Sequence, residues 1–175
     1  DIQENILAFA AHTDGVFFYD ISSYDSPIFL SSIDTENAWA VAINNHFAYI
    51  ADGVNLLTID ISDPESPYII DSITLPNSSK DIMVDGQSLY IALGSMGVSA
   101  YDISSTLPLL LDTYDTSALA NRIDIFNGMV AVSDWDDVEV LLLDDGVFNL
   151  VGYKSNGKRT MGIATKENFI YSAEW

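Results

Sequence analysis

Three similar segments decide the fold of this chain of 175 residues. They read "VFFYDISSYDSP" (Val16–Pro27), "LLTIDISDPESP" (Leu56–Pro67) and "VSAYDISSTLP" (Val98–Pro108), and a shorter version, "VLLLD", ends at Asp144. The aspartates that close the four versions, Asp20, Asp60, Asp102 and Asp144, follow one another at intervals of 40, 42 and 42 residues. A regular interval of about 40 residues indicates a repeat architecture in which each repeat is one small structural unit.

Each repeat contains four short segments that predict β-strands. The segments are rich in Val, Ile, Tyr and Phe and are separated by Asn, Gly, Asp, Ser and Pro, a pattern typical of strands joined by turns. Many segments are apolar on both faces, so neighbouring units must cover both sides of the sheet. A repeating four-stranded antiparallel unit of this length is typical of a β-propeller blade. We predict blades at residues 1–36, 37–77, 78–118 and 119–156 and a partial blade at 157–175, with no helix of consequence.

The closing aspartate and the proline of each segment have a structural interpretation. We expect Asp20, Asp60, Asp102 and Asp144 to accept hydrogen bonds from N–H groups two or three residues further on, as in an Asx-turn. The proline then begins an outer strand, where a missing N–H group costs little. We therefore predict that these aspartates stabilise turns and are not catalytic.

Segments that end in Asp and continue through a Ser/Asp turn to Pro resemble the LVIVD repeat family. The resemblance covers nearly the whole chain, although "LLLDDGVFNL" in the fourth copy has neither "IS" nor Pro. It implies a β-propeller of the kind found in bacterial secreted or surface proteins. Localisation is therefore expected to be extracellular, cell-surface or periplasmic. The chain begins at Asp1 rather than Met, which suggests a processed or trimmed chain and leaves open whether a targeting segment was removed.

The number of blades leaves more than one arrangement open. The first copy is expected to lack its innermost strand, and the last copy stops after two strands. Either four blades close into a ring, or the chain is a segment of a larger ring, or strands are exchanged between chains. We favour the segment, whose open edges would accept further blades or lead to self-assembly.

The charge of the chain excludes several classes of partner. Six Lys and Arg residues against 26 Asp and Glu residues give a net charge of −20, which repels nucleic acids and anionic membrane surfaces. No apolar segment approaches the roughly 20 residues that a membrane-spanning helix needs. Without cysteine, disulfides and thiolate chemistry are excluded. The two histidines, His12 and His46, lie in hairpins at opposite ends of a blade, so a shared catalytic site is not expected.

Two groups of residues are candidate sites. Aligning "INN", "VDG" and "FNG" places Trp39, Lys80 and Arg122 at one position near the start of the innermost strand, with Arg159 within two residues of it in the last copy. These residues are predicted to surround the channel mouth and bind an anionic group; alternatively, the cations balance acids such as Asp81 and Asp124. On one hairpin tip, "SDWDD" places Asp134, Asp136 and Asp137, with Glu139 beyond, as possible oxygen ligands for Ca²⁺ or as a solvated acidic loop.

The sequence favours a non-enzymatic module that binds a protein or an extracellular polymer through one face. One alternative is a hydrolase or lactonase with a divalent metal held by carboxylates near the channel, where Asp81, Asp85 and Asp124 are the available acids. Another is a structural component of an extracellular filament or surface assembly. An enzyme would need several acids or histidines on the innermost strands to converge on one point of the channel, whereas a structural component would join chains through open blade edges.

Overall fold

The computed structural model describes residues 1–155 and 157–175, and the regular structure of these residues consists only of β-strands. The eighteen strands are β1 (Ile2–Gln3), β2 (Ile6–Ala10), β3 (Val16–Asp20), β4 (Ile28–Ile33), β5 (Ala38–Asn44), β6 (Phe47–Asp52), β7 (Asn55–Asp60), β8 (Tyr68–Thr74), β9 (Asp81–Asp85), β10 (Ser88–Ala92), β11 (Val98–Asp102), β12 (Leu109–Tyr114), β13 (Ala120–Phe126), β14 (Met129–Asp134), β15 (Asp137–Asp144), β16 (Val147–Ser155), β17 (Thr160–Lys166) and β18 (Phe169–Glu174). None of the described residues belongs to a helix that could cross a membrane.

The strands form successive antiparallel sheets in chain order. The first four sheets contain β1–β4, β5–β8, β9–β12 and β13–β16, and a fifth contains β17 and β18. The predicted fold, a β-propeller of four-stranded antiparallel blades, is thereby confirmed. The expectation that the first copy lacks its innermost strand is wrong, because Ile2 and Gln3 form a short strand that pairs with Leu7 and Ile6.

The chain divides into two compact units, Asp1–Val84 and Asp85–Trp175, and the division falls within β9. In the first unit, the second strand of the second sheet has five consecutive buried residues, from Ala48 to Asp52. In the second unit, four of the five residues of β10 are buried. Burial of consecutive residues confirms that both faces of these strands are covered. The residues predicted as core are all buried: Leu57, Ile59, Tyr90, Ile91, Val130 and Val132.

Three of the four repeated aspartates close the predicted turns. The backbone N–H of Ser22 donates to Asp20 Oδ1 at 2.7 Å, and the Ser62–Asp60 and Ser104–Asp102 bonds each measure 2.8 Å. Asp144 differs because it pairs with Val147 across the two-residue turn Asp145–Gly146. The prediction of an Asx-turn at Asp144 is wrong, because the connection in the fourth copy is a two-residue hairpin in which the backbone of Asp144 pairs directly with Val147.

The hairpins between the second and third strands are of two kinds. The first and third sheets have five-residue connections, 11–15 and 93–97, that end in glycine, whereas the second and fourth sheets have two-residue turns, 53–54 and 135–136. A Cβ atom at Gly15 would lie 2.2 Å from the carbonyl oxygen of Ile33, and one at Gly97 would lie 2.0 Å from that of Tyr114. The longer hairpins therefore need glycine, because they lie directly against the backbone that follows the outer strand.

Shortening Ile91 tests the packing of the second unit. We expect Ile91→Ala to lower the free energy of unfolding by about 2–4 kcal/mol, because it leaves a cavity at a fully buried position. The matched control is Leu109→Ala on the outer strand of the same sheet, where 65% of the side chain is exposed; there we expect a loss below about 0.5 kcal/mol. Urea unfolding measures both values. Equal losses in the two variants would contradict the packing described for β10.

The Asx-turn at Asp60 predicts a dependence on pH. The hydroxyl and the N–H of Ser62 hold the pKa of Asp60 below its ordinary value. A lowered pKa contributes stability above the unfolded value of about 3.9, and this contribution is lost as the pH falls through the folded value. We expect Asp60→Asn to lower the urea midpoint slightly at neutral pH and to match the wild type near pH 2, since the protonated carboxyl resembles the amide. The exposed Asp85→Asn serves as the control. A difference between Asp60→Asn and wild type that persists in acid would exclude the charge as its cause.

Candidate functional site

Backbone hydrogen bonds fix where each innermost strand begins. In the first unit, His12 and Ala38 exchange N–H···O bonds of 2.9 and 3.0 Å, and Ser79 N–H donates to Gly53 at 2.7 Å. In the second unit, Gly94 and Ala120 exchange bonds of 3.1 and 3.0 Å, and Thr160 N–H donates to Trp135 at 2.7 Å. The hairpin partners, His12, Gly53, Gly94 and Trp135, all have positive φ. Each hairpin thus contacts the next sheet at the start of its innermost strand: at the first residue in Ala38, Ala120 and Thr160, and two residues before β9 in Ser79.

The pairing of β5 with β6 and of β13 with β14 shows that the sequence alignment placed Arg122 one residue out of register. Trp39 lies at an irregularity between Ala38 and Ala40, and Asn121 lies at the same irregularity between Ala120 and Arg122. Asn121 is therefore the structural equivalent of Trp39, and Arg122 lies one residue further along, opposite Ser133. The alignment was wrong because it matched Asn45 and Gly86 with Gly128 instead of Asn127. The residues of positive φ that begin the corresponding turns are Asn45, Gly86 and Asn127.

Two of the predicted channel-mouth residues, together with a histidine, form a cluster in the first unit. We call His12, Trp39 and Lys80 the Trp39 cluster. The His12 and Trp39 rings are perpendicular, at a centroid distance of 4.6 Å, and Lys80 Nζ lies 5.3 Å from the Trp39 centroid. These positions follow from the hydrogen bonds above, because Trp39 follows Ala38 and Lys80 follows Ser79. With 39% of its surface exposed, Trp39 offers a flat apolar surface beside a cation.

The second unit contains a related pair. Arg159 Cζ lies 4.9 Å from the ring centroid of Trp135. Arg159 is exposed and immediately precedes Thr160, whose N–H donates to Trp135. Trp135 was not predicted as a functional residue; the signal was its place in the chain, 41 residues after Gly94 and one residue after Asp134. Convergence of Trp39, Lys80, Arg122 and Arg159 on one channel mouth stays a prediction.

An acidic cluster forms at the hairpin of the fourth sheet, with a membership that differs from the sequence prediction. One carboxylate oxygen from each of Asp134, Asp137 and Glu139 lies within 4.8 Å of the others, and all three residues are buried. We call these three residues the acidic triad. Asp136 is exposed at the turn and lies outside it. The replacement of Asp136 by Glu139 follows from strand geometry, since Asp137 and Glu139 are two residues apart on β15 and share a face.

The segment before β13 supplies the hydrogen bonds of the acidic triad. Asp134 accepts from the Thr116 hydroxyl at 2.9 Å, the Ser117 hydroxyl at 2.8 Å and the Ala118 N–H at 2.7 Å. The Ser117 N–H donates to Glu139 Oε1 at 3.0 Å, and the Ser117 hydroxyl also lies 3.3 Å from Asp137 Oδ2. Asp137 Oδ1 and Glu139 Oε2 are buried without a hydrogen-bond partner.

Burial and mutual repulsion affect the protonation of the acidic triad. Burial raises the pKa of Asp137, and the negative charges of Asp134 and Asp136 raise it further. Burial also raises the pKa of Glu139, with further increases from Asp134 and Asp137. Tyr114 is affected as well: burial first, and then the charges of Glu139, Asp115, Asp134 and Asp137, raise its pKa. The site thus favours neutralisation of its carboxylates, by protons or by a cation.

The second sheet contains the same aspartate without the additional acids. Asp52 is buried and accepts hydrogen bonds from the N–H groups of Glu36 and Asn37, as Asp134 does from Ala118. Asn55 pairs with Asp52 as Asp137 pairs with Asp134, and Leu57 takes the place of Glu139. The aspartate alone therefore suffices to hold the segment that precedes the innermost strand.

The two histidines occupy different hairpins. His12 lies between β2 and β3, His46 lies between β5 and β6, and both are exposed. The β2–β3 hairpin and the β5–β6 hairpin lie at opposite ends of their respective sheets. The structure therefore keeps the two imidazoles in separate surroundings, as the sequence indicated.

Comparison with known proteins supports the fold. Residues 36–74 match the model of the LVIVD repeat, and no curated protein matches the chain. A protein from Lactobacillus plantarum is similar in structure, with 16% identity over 98% of this chain and 60% of its own and a TM-score of 0.80. A protein from Bacteroides uniformis, provisionally described as a 6-phosphogluconolactonase, has 11% identity over 99% of this chain and 62% of its own and a TM-score of 0.83.

A computationally designed protein, Ika8, has 13% identity over 98% of this chain and 53% of its own, with a TM-score of 0.77. The chain thus spans between 53% and 62% of the length of these three structures. At such identities the likeness concerns the fold. The repeat match and the structural likenesses together identify the chain as a β-propeller with an LVIVD repeat at residues 36–74.

Proposed function

We propose that this protein is a non-enzymatic binding module, acting outside the cytoplasm, that holds carboxylate or sulfate groups of a protein or an extracellular polymer at the Trp39 cluster. The observation that carries the proposal is the contact of Lys80 Nζ with the partly exposed ring of Trp39, at 5.3 Å from its centroid. A cation held over an aromatic ring combines charge with a flat apolar surface. Both are suited to a ligand that has an anionic group on an apolar or ring-shaped body.

The charge distribution supports selectivity at this cluster. With six basic residues against 26 acidic ones, most of the surface repels anions. A ligand with one or a few anionic groups is therefore attracted only where a cation is fixed. His12 supports the geometry, because its ring contacts Trp39 while its backbone is bonded to Ala38.

A hydrolase or lactonase of the kind suggested by the Bacteroides uniformis structure has less support. Its metal would need several acids at one point near the channel, and Asp81, Asp85 and Asp124 were the available candidates. Among residues 1–155 and 157–175, the group of three that could hold a metal is the acidic triad, which contains none of them. Asp124 is engaged otherwise, since it accepts hydrogen bonds from the N–H and hydroxyl of Thr165.

Tryptophan fluorescence during titration with sulfate and with glutarate tests the proposal. We expect a saturable change in wild type that exceeds the change with chloride at equal ionic strength, because the anion contacts the Trp39 cluster. Lys80→Met retains the apolar stem and should weaken binding by at least about tenfold, a loss of about 1.4 kcal/mol in binding free energy. Trp39→Phe should remove most of the signal.

The matched control is Lys166→Met, which removes an exposed cation at the end of β17 and changes the net charge equally. It should bind as the wild type does. Equal weakening in Lys80→Met and Lys166→Met would show that only the overall charge matters. A wild-type response no larger than that to chloride would contradict the proposed site.

A further inference from the structure

We propose that Asp134, Asp137 and Glu139 bind a Ca²⁺ ion that fastens the β14–β15 hairpin to residues 116–118, the segment that precedes β13. The inference goes beyond the proposed binding function and does not depend on it. The acidic triad lies wholly within the second unit, whereas the Trp39 cluster lies within the first.

The first argument is the imbalance between donors and acceptors. Three carboxylates present six oxygen atoms, whereas residues 116–118 supply four donor groups: two hydroxyls and two backbone N–H groups. The Ser117 hydroxyl has one proton but is within reach of both Asp134 and Asp137. Asp137 Oδ1 and Glu139 Oε2 have no partner at all, although both are buried. Buried oxygens without donors are costly unless something else satisfies them.

The second argument is the charge. The charges that act on Asp137 and Glu139 come from Asp134, Asp136 and, for Glu139, Asp137, and all are negative. Tyr114 and Asp115 are further titratable groups coupled to the triad, and neither can supply a positive charge. Three buried carboxylates within 4.8 Å of one another therefore need a counter-charge that these neighbours do not provide.

The third argument is the comparison with the second sheet. The equivalent Asp52 holds its own segment with Asn55 and Leu57 in place of Asp137 and Glu139. The hairpin therefore forms without the two extra acids. Their presence in the fourth sheet adds repulsion that the fold does not require, and binding a cation accounts for it.

The chemistry of the ligands selects the ion. Every candidate ligand atom in the triad is a carboxylate oxygen, which favours a hard cation. Ca²⁺ accepts the larger number of oxygens and the irregular geometry that three carboxylates and adjacent hydroxyls offer, whereas Mg²⁺ requires a near-octahedral arrangement. All three carboxylates are at least nine-tenths buried, so the ion would be structural and remote from any substrate.

Calorimetry and thermal unfolding of the whole chain test the site, after treatment with a chelator and dialysis at neutral pH. We expect one Ca²⁺ per chain and an increase of several degrees in the melting temperature at about 1 mM Ca²⁺, because the ion binds the folded state. Mg²⁺ and Na⁺ at matched ionic strength should have a much smaller effect. Absence of heat and of stabilisation in the wild type would overturn the proposal, as would preference for Mg²⁺.

The decisive variant converts the fourth sheet to the pattern of the second. Asp137→Asn with Glu139→Leu should fold and be at least as stable as the wild type in chelator, because the repulsion is removed. Its affinity for Ca²⁺ should be at least about a hundredfold lower, a loss of about 2.7 kcal/mol. The matched control, Asp144→Asn with Asp145→Asn, removes the same charge from exposed positions of the same sheet and should respond to Ca²⁺ as the wild type does. Equal stabilisation of both double variants by Ca²⁺ would show charge screening alone and overturn the site.

Terbium luminescence tests the wild type directly and does not rely on the folding of the double variant. Tb³⁺ replaces Ca²⁺ at oxygen sites, and Trp135, the residue after Asp134, would transfer its excitation to the bound ion. With excitation at wavelengths that tyrosine does not absorb, we expect sensitised emission that Ca²⁺ displaces and that Trp135→Phe abolishes while calorimetric binding persists. Emission unchanged in Trp135→Phe would place the ion elsewhere and overturn the assignment.

Discussion

The rest of the structure depends on the backbone hydrogen bond between a hairpin and the residue at or just before the start of the innermost strand in the next sheet. It forms at His12–Ala38 and Gly53–Ser79 in the first unit and at Gly94–Ala120 and Trp135–Thr160 in the second. The hairpin residue adopts positive φ each time, at a cost of about 1–2 kcal/mol where it is not glycine. This constraint sets where the innermost strand begins in the second to fifth sheets, and with it the positions of Trp39 and Lys80. A local backbone requirement thus determines which side chains become neighbours.

The acidic residues of this chain serve two different purposes. Asp20, Asp60 and Asp102 are acceptors in exposed turns, where water shields their charge and a serine N–H satisfies them. In the acidic triad the carboxylates are buried together, and the donors of residues 116–118 do not satisfy all of them. The same residue type therefore stabilises a turn in one place and creates a demand for positive charge in another. Composition alone does not distinguish the two, because the difference lies in burial.

Most of the fold could be predicted from the sequence, because strand and turn signals recur at a constant interval and each copy supports the others. The short strand β1 was missed, since two residues contain no periodic pattern. Arg122 was assigned to the wrong position because glycine and asparagine both adopt positive φ in these turns, so residue identity does not fix the register. The acidic triad was predicted in part: Asp134 and Asp137 were included, but Asp136 was chosen over Glu139 because proximity in sequence was preferred to alternation along a strand. The contact between Trp135 and Arg159 depends on a bond between sheets and had no local signal.

The alternation of long and short hairpins has a consequence for how such chains diversify. Gly15 and Gly97, like Asp52 and Asp134, are 82 residues apart, so the period that preserves backbone chemistry is two sheets rather than one. A hairpin that ends in glycine fits only where the backbone at the end of the outer strand packs directly against it. A hairpin that begins after a buried aspartate fits only where the preceding segment offers N–H groups to that carboxylate. Recombination between neighbouring sheets would separate each glycine hairpin or buried aspartate from the backbone groups that it contacts. Exchange between alternate sheets would keep these partners together. Duplication and loss of material in this lineage are therefore expected to occur in pairs of blades.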